Sequence, residues 1–322
     1  LACCKILYAA DEEFAATKRQ AERYPAALKR ALADFFSFES EFSCALAEKS
    51  ASSGDISYVT GHAFRAVSAL NQVLFALNEQ WCLNEKKAVF RIDGFPIAPE
   101  NYSQTIAAIF RQIALSPEQG TQRLRALCEG AIMVTIAQIL SYIKLWEMPW
   151  GGSVVLSMIP LVLYAVRWGL GAGLLGGFAF GVLQFMFDGG FAIGWQSIVG
   201  DYLVAFTVLG LAGLVARRKS GVFTGTLIAG FSRFLVHYVV GATVWAEYMP
   251  ETFFGMTMHS PWFYSLLYNL AYMLPNIAIT LLVFAVAYKP LKKYFTASDL
   301  LPSPAAAQPV KDPTSPKWDP ER

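Results

Sequence analysis

Six apolar stretches dominate the second half of this 322-residue chain, at about 130–146, 152–166, 168–187, 193–216, 222–248 and 261–288. A bilayer core of about 30 Å takes about 20 helical residues, and in lipid a backbone must satisfy its own hydrogen bonds, which a helix does. The pattern therefore predicts six membrane-spanning helices, the second short and carrying Pro160. The composition, 55% hydrophobic with only 16% charged, excludes a disordered or solvating chain, since an average soluble protein is about 25% charged. Lys and Arg number 26 against 24 Asp and Glu; without a clustered basic excess, no nucleic-acid partner is expected.

Charge around the stretches predicts orientation. Arg167 follows the second, Arg217-Arg218-Lys219 the fourth, and Lys289, Lys292 and Lys293 the sixth, whereas the alternate loops hold Glu147, Asp188 and Glu251. By the positive-inside rule both termini are cytosolic, in a multi-pass protein of the cell membrane.

The first 128 residues read differently. Phe14, Tyr24, Leu28, Leu32, Phe35, Phe42 and Leu46 recur at three and four among charged residues, the period of amphipathic helices. Pro25 opens a second helix, Ser52-Ser53-Gly54-Asp55 marks a loop, and Ser116-Pro117-Glu118-Gln119 starts a helix that runs on toward the membrane. All five cysteines (Cys3, Cys4, Cys44, Cys82, Cys128) lie here without a C-x-x-C pair, which fits a reduced compartment and no metal site. The expected fold is all-α: a soluble cytosolic helical domain at 1–128, accessory or a fusion remnant, a six-helix transmembrane bundle at 129–295, and a disordered tail at 296–322, rich in Pro and Ala.

Two glycine-bearing motifs have bland readings. Gly171-Ala-Gly173-Leu-Leu-Gly176 matches G-x-G-x-x-G but lies within an apolar stretch, not between a strand and a helix. Gly169, Gly173, Gly177 and Gly181 recur every four residues, a smooth stripe for close helix packing. No G-x-x-x-x-G-K-[ST] occurs, so the chain has no P-loop with which to hydrolyse ATP.

The functional signal is the polar and aromatic set inside the membrane. Asp201 lies in the middle of the fourth stretch, where a carboxylate costs about 2.5–3.5 kcal/mol; it calls for a partner, either Arg233 of the fifth stretch or a cationic ligand. Arg233, His237, Gly241 and Trp245 are four apart on one helix face, with Gly241 leaving room between two rings, and Tyr264, Tyr268 and Asn269 follow in the sixth stretch. A carboxylate, an indole, an imidazole, phenols and a carboxamide suit a small, flat, positively charged molecule. No nucleophile with its base and no metal cluster can be assembled from them, so neither an enzyme nor a resident cofactor is expected.

The segments Met148–Gly169, Gly200–Leu214, His237–Tyr248 and Tyr264–Asn269 resemble, in order and spacing, the thiamine-specific membrane component of energy-coupling-factor transporters, the ThiT or YuaJ family. The resemblance covers about 129–295. It implies high-affinity capture of thiamine, and uptake powered by a separate transmembrane coupling protein with two ATPase subunits. It carries substrate-binding roles onto Asp201, Tyr202, His237, Gly241, Trp245, Tyr264 and Asn269, with Phe191 in place of a tyrosine and Trp150 as a neighbouring substitute for a loop tryptophan. Partner docking through two small residues four apart falls on Ala131 and Thr135. The stretch Val73–Lys87 resembles the helical region that follows a nucleotidyltransferase catalytic domain, yet Asp55 is followed by Ile56 and Ser57, so the second metal-binding carboxylate is absent. The alternatives are a six-span transporter component for another vitamin or organic cation, and a membrane-tethered nucleotidyltransferase-related protein lacking its catalytic part.

Overall fold

The computed structural model describes residues 12–149, 151–187 and 192–300. Its helices are α1 (Glu12–Glu22), α2 (Ala26–Ser50), α3 (Ile56–Leu77), α4 (Ala88–Ile92), α5 (Tyr102–Leu115), α6 (Pro117–Ser141), α7 (Met158–Trp168), α8 (Leu170–Phe187), α9 (Trp195–Val215), α10 (Gly221–Thr243) and α11 (Pro261–Phe295). Two short hairpins complete them: β1 (Trp146–Glu147) with β2 (Ser153–Val154), and β3 (Thr252–Phe253) with β4 (Met256–Thr257).

Five helices, α6, α8, α9, α10 and α11, are long and apolar enough to cross a membrane. The second expected span is only the 11-residue α7, because Ser153–Val154 pair with Trp146–Glu147 in a hairpin. Pro160 accordingly sits in the first turn of α7, where its missing N–H leaves no intrahelical bond unmade. The sixth stretch runs past 288, through Pro275 and Pro290, with its helical dihedrals broken at Leu291.

The boundary expected at 128/129 falls inside a continuous helix. α6 starts at Pro117 as expected, although Ser116 makes no side-chain cap, and it carries both hydrophobic cores. Its first half packs with Ala47, Val59, Ala63, Val67, Leu70, Ile106 and Ile113 of the N-terminal helices; Val134 and Ala137 belong to the core of α7–α11. α2 packs against α6, with Ser40 Oγ 3.2 Å from Cys128 Sγ. Asp55, the lone carboxylate of the Ser-Gly-Asp turn, caps α3 by accepting the Tyr58 N–H at 3.0 Å.

An ion cluster ties four segments together at one end of the bundle. Arg167, 1% exposed, binds Glu129 at 2.7 Å and grips Asp299 with both terminal nitrogens at 3.0 Å. Arg125 bridges Asp299 to Glu48 of α2, both at 2.8 Å, and the Trp168 indole donates to Glu129 at 2.7 Å. The tail therefore does not lose its structure at 296: Ser298–Leu300 form a 3-10 turn held by Asp299, and residues 301–322 lie outside the described residues. Arg167 is thus a buried, neutralised residue rather than a loose loop cation. Lys144, expected within the first span, lies in the loop after α6 and pairs with Glu147 at 2.6 Å.

The glycine stripe packs α8 against α9. A Cβ at Gly177 would run into the Phe206 carbonyl and one at Gly181 into the Tyr202 carbonyl, so only glycine permits this spacing. The stripe thereby sets the position of the α9 turn that carries Asp201.

Two stability predictions follow from these contacts. Gly177→Val should lower the thermal midpoint of the purified protein by several degrees, whereas Gly171→Ala, which meets nothing within 4 Å, should leave it unchanged; overpacking of this kind costs about 1–3 kcal/mol. Removing a partner from a buried ion pair costs about 3–5 kcal/mol. Arg167→Ala should therefore destabilise more than Arg125→Ala, whose side chain is 25% exposed, in the same melting assay.

Candidate functional site

A cavity of about 140 Å³ opens among α6, α8, α9, α10, α11 and the β1–β2 hairpin, with Val155 and Ser157 lining it just ahead of α7. α9 reaches it through an irregularity: residues Ile198–Val204 form a π-helical turn. Such wide turns inside an α-helix are rare and frequent at functional sites. The π turn holds Asp201 and Tyr202, and both face the cavity.

Asp201 organises the other side chains. It accepts the Trp245 indole N–H at 2.8 Å, the Ser197 hydroxyl at 3.1 Å and a bond from His237 Nδ1 at 3.0 Å. His237 Nε2 in turn receives Arg233 Nε at 3.3 Å. A guanidinium can only donate, so Nε2 is an acceptor and the imidazole proton sits on Nδ1, aimed at the carboxylate. The carboxylate and the guanidinium are thus linked through a neutral ring rather than locked against each other, and Asp201, His237, Arg233 and Trp245 all line the same cavity. The Arg233 guanidinium also lies over the Phe206 ring, 4.3 Å from its centroid.

α11 contributes a stripe at every fourth residue. Tyr264, Tyr268 and Tyr272 line the cavity with successive ring centroids 5.6 and 6.0 Å apart. Asn276, one turn further, pins the entry loop by accepting the Val155 N–H at 3.0 Å and donating to the Ser153 carbonyl at 2.9 Å. Phe253 of the second hairpin packs edge-on against Tyr264 at 5.2 Å, which brings that loop to the same end.

Of the residues expected from sequence, Asp201, Tyr202, His237, Gly241, Trp245, Tyr264 and Asn269 converge on this one cavity. Trp150 and Phe191 lie outside the described residues. Two roles change. The space at Gly241 is used for close approach of α11, since a Cβ there would meet Ser265 Oγ and Asn269 Nδ2, and not as a slot between two rings. Asn269 bolts α11 to α10: its Nδ2 donates to the Ser265 and His237 carbonyls at 2.8 and 3.3 Å while its Oδ1 accepts the Tyr272 hydroxyl at 2.7 Å. Ala131 and Thr135 lie away from the cavity on α6. Ala131 packs against the N-terminal core and Thr135 Oγ1 donates to the Ala131 carbonyl at 2.8 Å.

Sequence reading missed Tyr272, Gln184, Ser157 and Ser265 as lining residues and took Arg233 only as a possible ion-pair partner. The four-residue period from Tyr264 to Asn276 was a signal for Tyr272. Nothing in the apolar runs around Ser157 and Gln184 sets them apart before the helices are packed. Among the described residues no group of three or more His, Cys, Asp or Glu is placed to hold a metal.

The tautomer is directly testable: nitrogen NMR of the histidine-labelled protein at neutral pH should show one imidazole protonated at Nδ1 and bare at Nε2. Arg233→Leu should abolish that asymmetry, because the donor that makes Nε2 an acceptor is then gone.

Comparison with known proteins converges on one family. Residues 127–296 match the family described as "Thiamine transporter protein (Thia_YuaJ)". The chain is 32% identical over 187 residues to a protein of Bacillus subtilis (strain 168) named "Thiamine transporter ThiT", covering 52% of this chain and 92% of the relative. It is 26% identical over 200 residues to a protein of the same name from Lacticaseibacillus paracasei, covering 56% and 95%. A solved structure described as ThiT from Listeria monocytogenes shares 24% identity at a TM-score of 0.48, over 54% of this chain and 98% of that one.

Proposed function

Since this chain belongs to the thiamine transporter family matched by residues 127–296, we propose that the cavity around Asp201 is its thiamine site and that the chain is the substrate-capturing subunit of an energy-coupling-factor transporter. It is a membrane transport protein rather than an enzyme. Thiamine joins a cationic thiazolium to a neutral aminopyrimidine. The carrying observation is the part-buried carboxylate of Asp201, beside an indole and an imidazole that it holds in place, lining the same cavity as a row of tyrosines.

The roles follow from the chemistry of each group. Asp201 supplies the negative charge; Trp245 and Tyr264 offer π faces that attract a cation by about 0.5–2 kcal/mol, more where water is excluded. Tyr202 closes the wall beside Phe185, their ring centroids 5.3 Å apart. His237 carries the link to Arg233, while Gly241 and Asn269 fix the distance between α10 and α11. Trp150 and Phe191 keep the substrate-binding roles that the family resemblance gives them.

In this reading α7 crosses as the sixth, short span together with the hairpin ahead of it, and both termini are cytosolic. Arg167, Arg217, Arg218, Lys219, Lys289, Lys292 and Lys293 then share the inner side, against Lys144 on the outer side. The Tyr288 hydroxyl on the Lys219 carbonyl and the Arg217 N–H on the Val166 carbonyl are consistent with one shared end. A separate coupling protein with two ATPase subunits supplies the energy and docks at Ala131 and Thr135. The N-terminal helices at 12–115 form an accessory unit that covers part of that face.

Equilibrium binding tests the reading. Thiamine, riboflavin, biotin and pyridoxine are titrated against the purified chain; thiamine should bind far tighter than the rest. Trp245→Ala and Asp201→Asn should each weaken it by about 10- to 100-fold, equivalent to about 1.4–2.8 kcal/mol. Unchanged affinity in both variants would remove the site, and preference for another vitamin would reassign the ligand.

A further inference from the structure

Three polar atoms in this cavity are left over by the protein's own hydrogen bonding. Arg233 Nη1, Gln184 Oε1 and Ser157 Oγ are buried with no hydrogen-bond partner among the described residues, and all three side chains line the cavity. A buried group left unmatched costs about 1–3 kcal/mol, and folded proteins keep few of them. Three such atoms facing one cavity mark a surface shaped to meet something polar. None can easily turn aside. Arg233 is 6% exposed and held by Phe206 and His237. Ser157 is 1% exposed, and Gln184 follows one turn after Gly181, whose contact fixes the spacing of α8 and α9.

The charges along the cavity are ordered. Trp245 lies two residues past the end of α10, and His237 and Arg233 follow below it on the helix, a span of roughly three turns; Asp201 is bonded to the first two. The end at Trp245 is therefore acidic and the end at Arg233 basic. A cationic ring is drawn to the carboxylate and repelled by the guanidinium, so a ligand with one cationic and one neutral ring sits with the neutral ring against Arg233. Arg233 Nη1 needs a lone pair, such as an aromatic ring nitrogen; Gln184 Oε1 needs an N–H; Ser157 can do either. An aminopyrimidine presents ring nitrogens beside an amino group on one edge.

We propose that Arg233, Gln184 and Ser157 are specificity-determining contacts that read the aminopyrimidine edge of the ligand, opposite the Asp201–Trp245 end that holds its cationic ring. This rests on the thiamine reading of the cavity. A site built to hydrogen-bond a group rejects an analogue lacking it, because its own buried atoms are then stranded.

The test is calorimetric binding to the purified full chain of three ligands: thiamine; oxythiamine, whose pyrimidine amino group is replaced by an oxo group; and pyrithiamine, whose pyrimidine is intact and whose cationic ring is a pyridinium. The unaltered chain should prefer thiamine to oxythiamine by about tenfold or more. In Gln184→Leu that ratio should fall toward one, with pyrithiamine weakening in step with thiamine. Ser157→Ala, a change too small to unfold the helix start, should move the ratio the same way. Trp245→Ala should weaken thiamine and oxythiamine by equal factors. A ratio unchanged in both Gln184→Leu and Ser157→Ala overturns the proposal and leaves the thiamine site standing. Failure of the unaltered chain to bind thiamine overturns both. If Arg233→Gln weakens thiamine monophosphate alone, the guanidinium serves a phosphate and the pyrimidine assignment is wrong.

Discussion

A single carboxylate, Asp201, holds the cavity in shape. In an apolar bundle it is tolerable only with its lone pairs used, and they are used on Trp245, His237 and Ser197. The same three bonds orient an indole and an imidazole toward one space, and the Arg233 bond to Nε2 fixes the imidazole tautomer. The His237 link to Arg233 balances the charge without a direct ion pair, so neither charged group is consumed by the other. A carboxylate not paired directly with a guanidinium remains available to a cation that enters beside it.

That arrangement depends on backbone placement, and here the glycines of α8 matter more than any ring. Gly177 and Gly181 bring α8 against the carbonyls of Phe206 and Tyr202, which seats the π turn of α9 and with it Asp201. On the opposite wall, Gly241 lets α11 approach α10, and Asn269 locks the two together. Asn276 then ties the β1–β2 loop to the bundle. The site is thus a product of two close helix contacts and one loop tie, each made with small or amide side chains, as packing between apolar helices requires.

Much of this was legible in the sequence because its signals are periodic. Apolar length marked the long helices, the four-residue glycine spacing marked the α8 contact, and the spacing of Arg233, His237 and Trp245 put them on one face. What escaped reading has a physical reason in each case. The second span was overestimated because hydropathy cannot distinguish an apolar hairpin from an apolar helix. The divide at 128/129 lies within one unbroken helix, because α6 is amphipathic first and apolar later. Asp299 looked like part of a featureless tail, since its partners Arg167 and Arg125 are over 130 residues away in sequence. Gln184 and Ser157 are isolated polar residues whose meaning appears only when the helices assemble.

The central claim is that the charge of Asp201 holds the cationic ring of the ligand. The most direct measurement compares thiamine with its neutral isostere 3-deazathiamine, in which the thiazolium nitrogen is replaced by carbon, on the purified protein and on Asp201→Asn. The account predicts that the native chain binds thiamine about tenfold or more tighter than the isostere, and that this gap closes in the variant. Equal affinity for the two ligands in the native chain, or a gap that persists without the carboxylate, would contradict it.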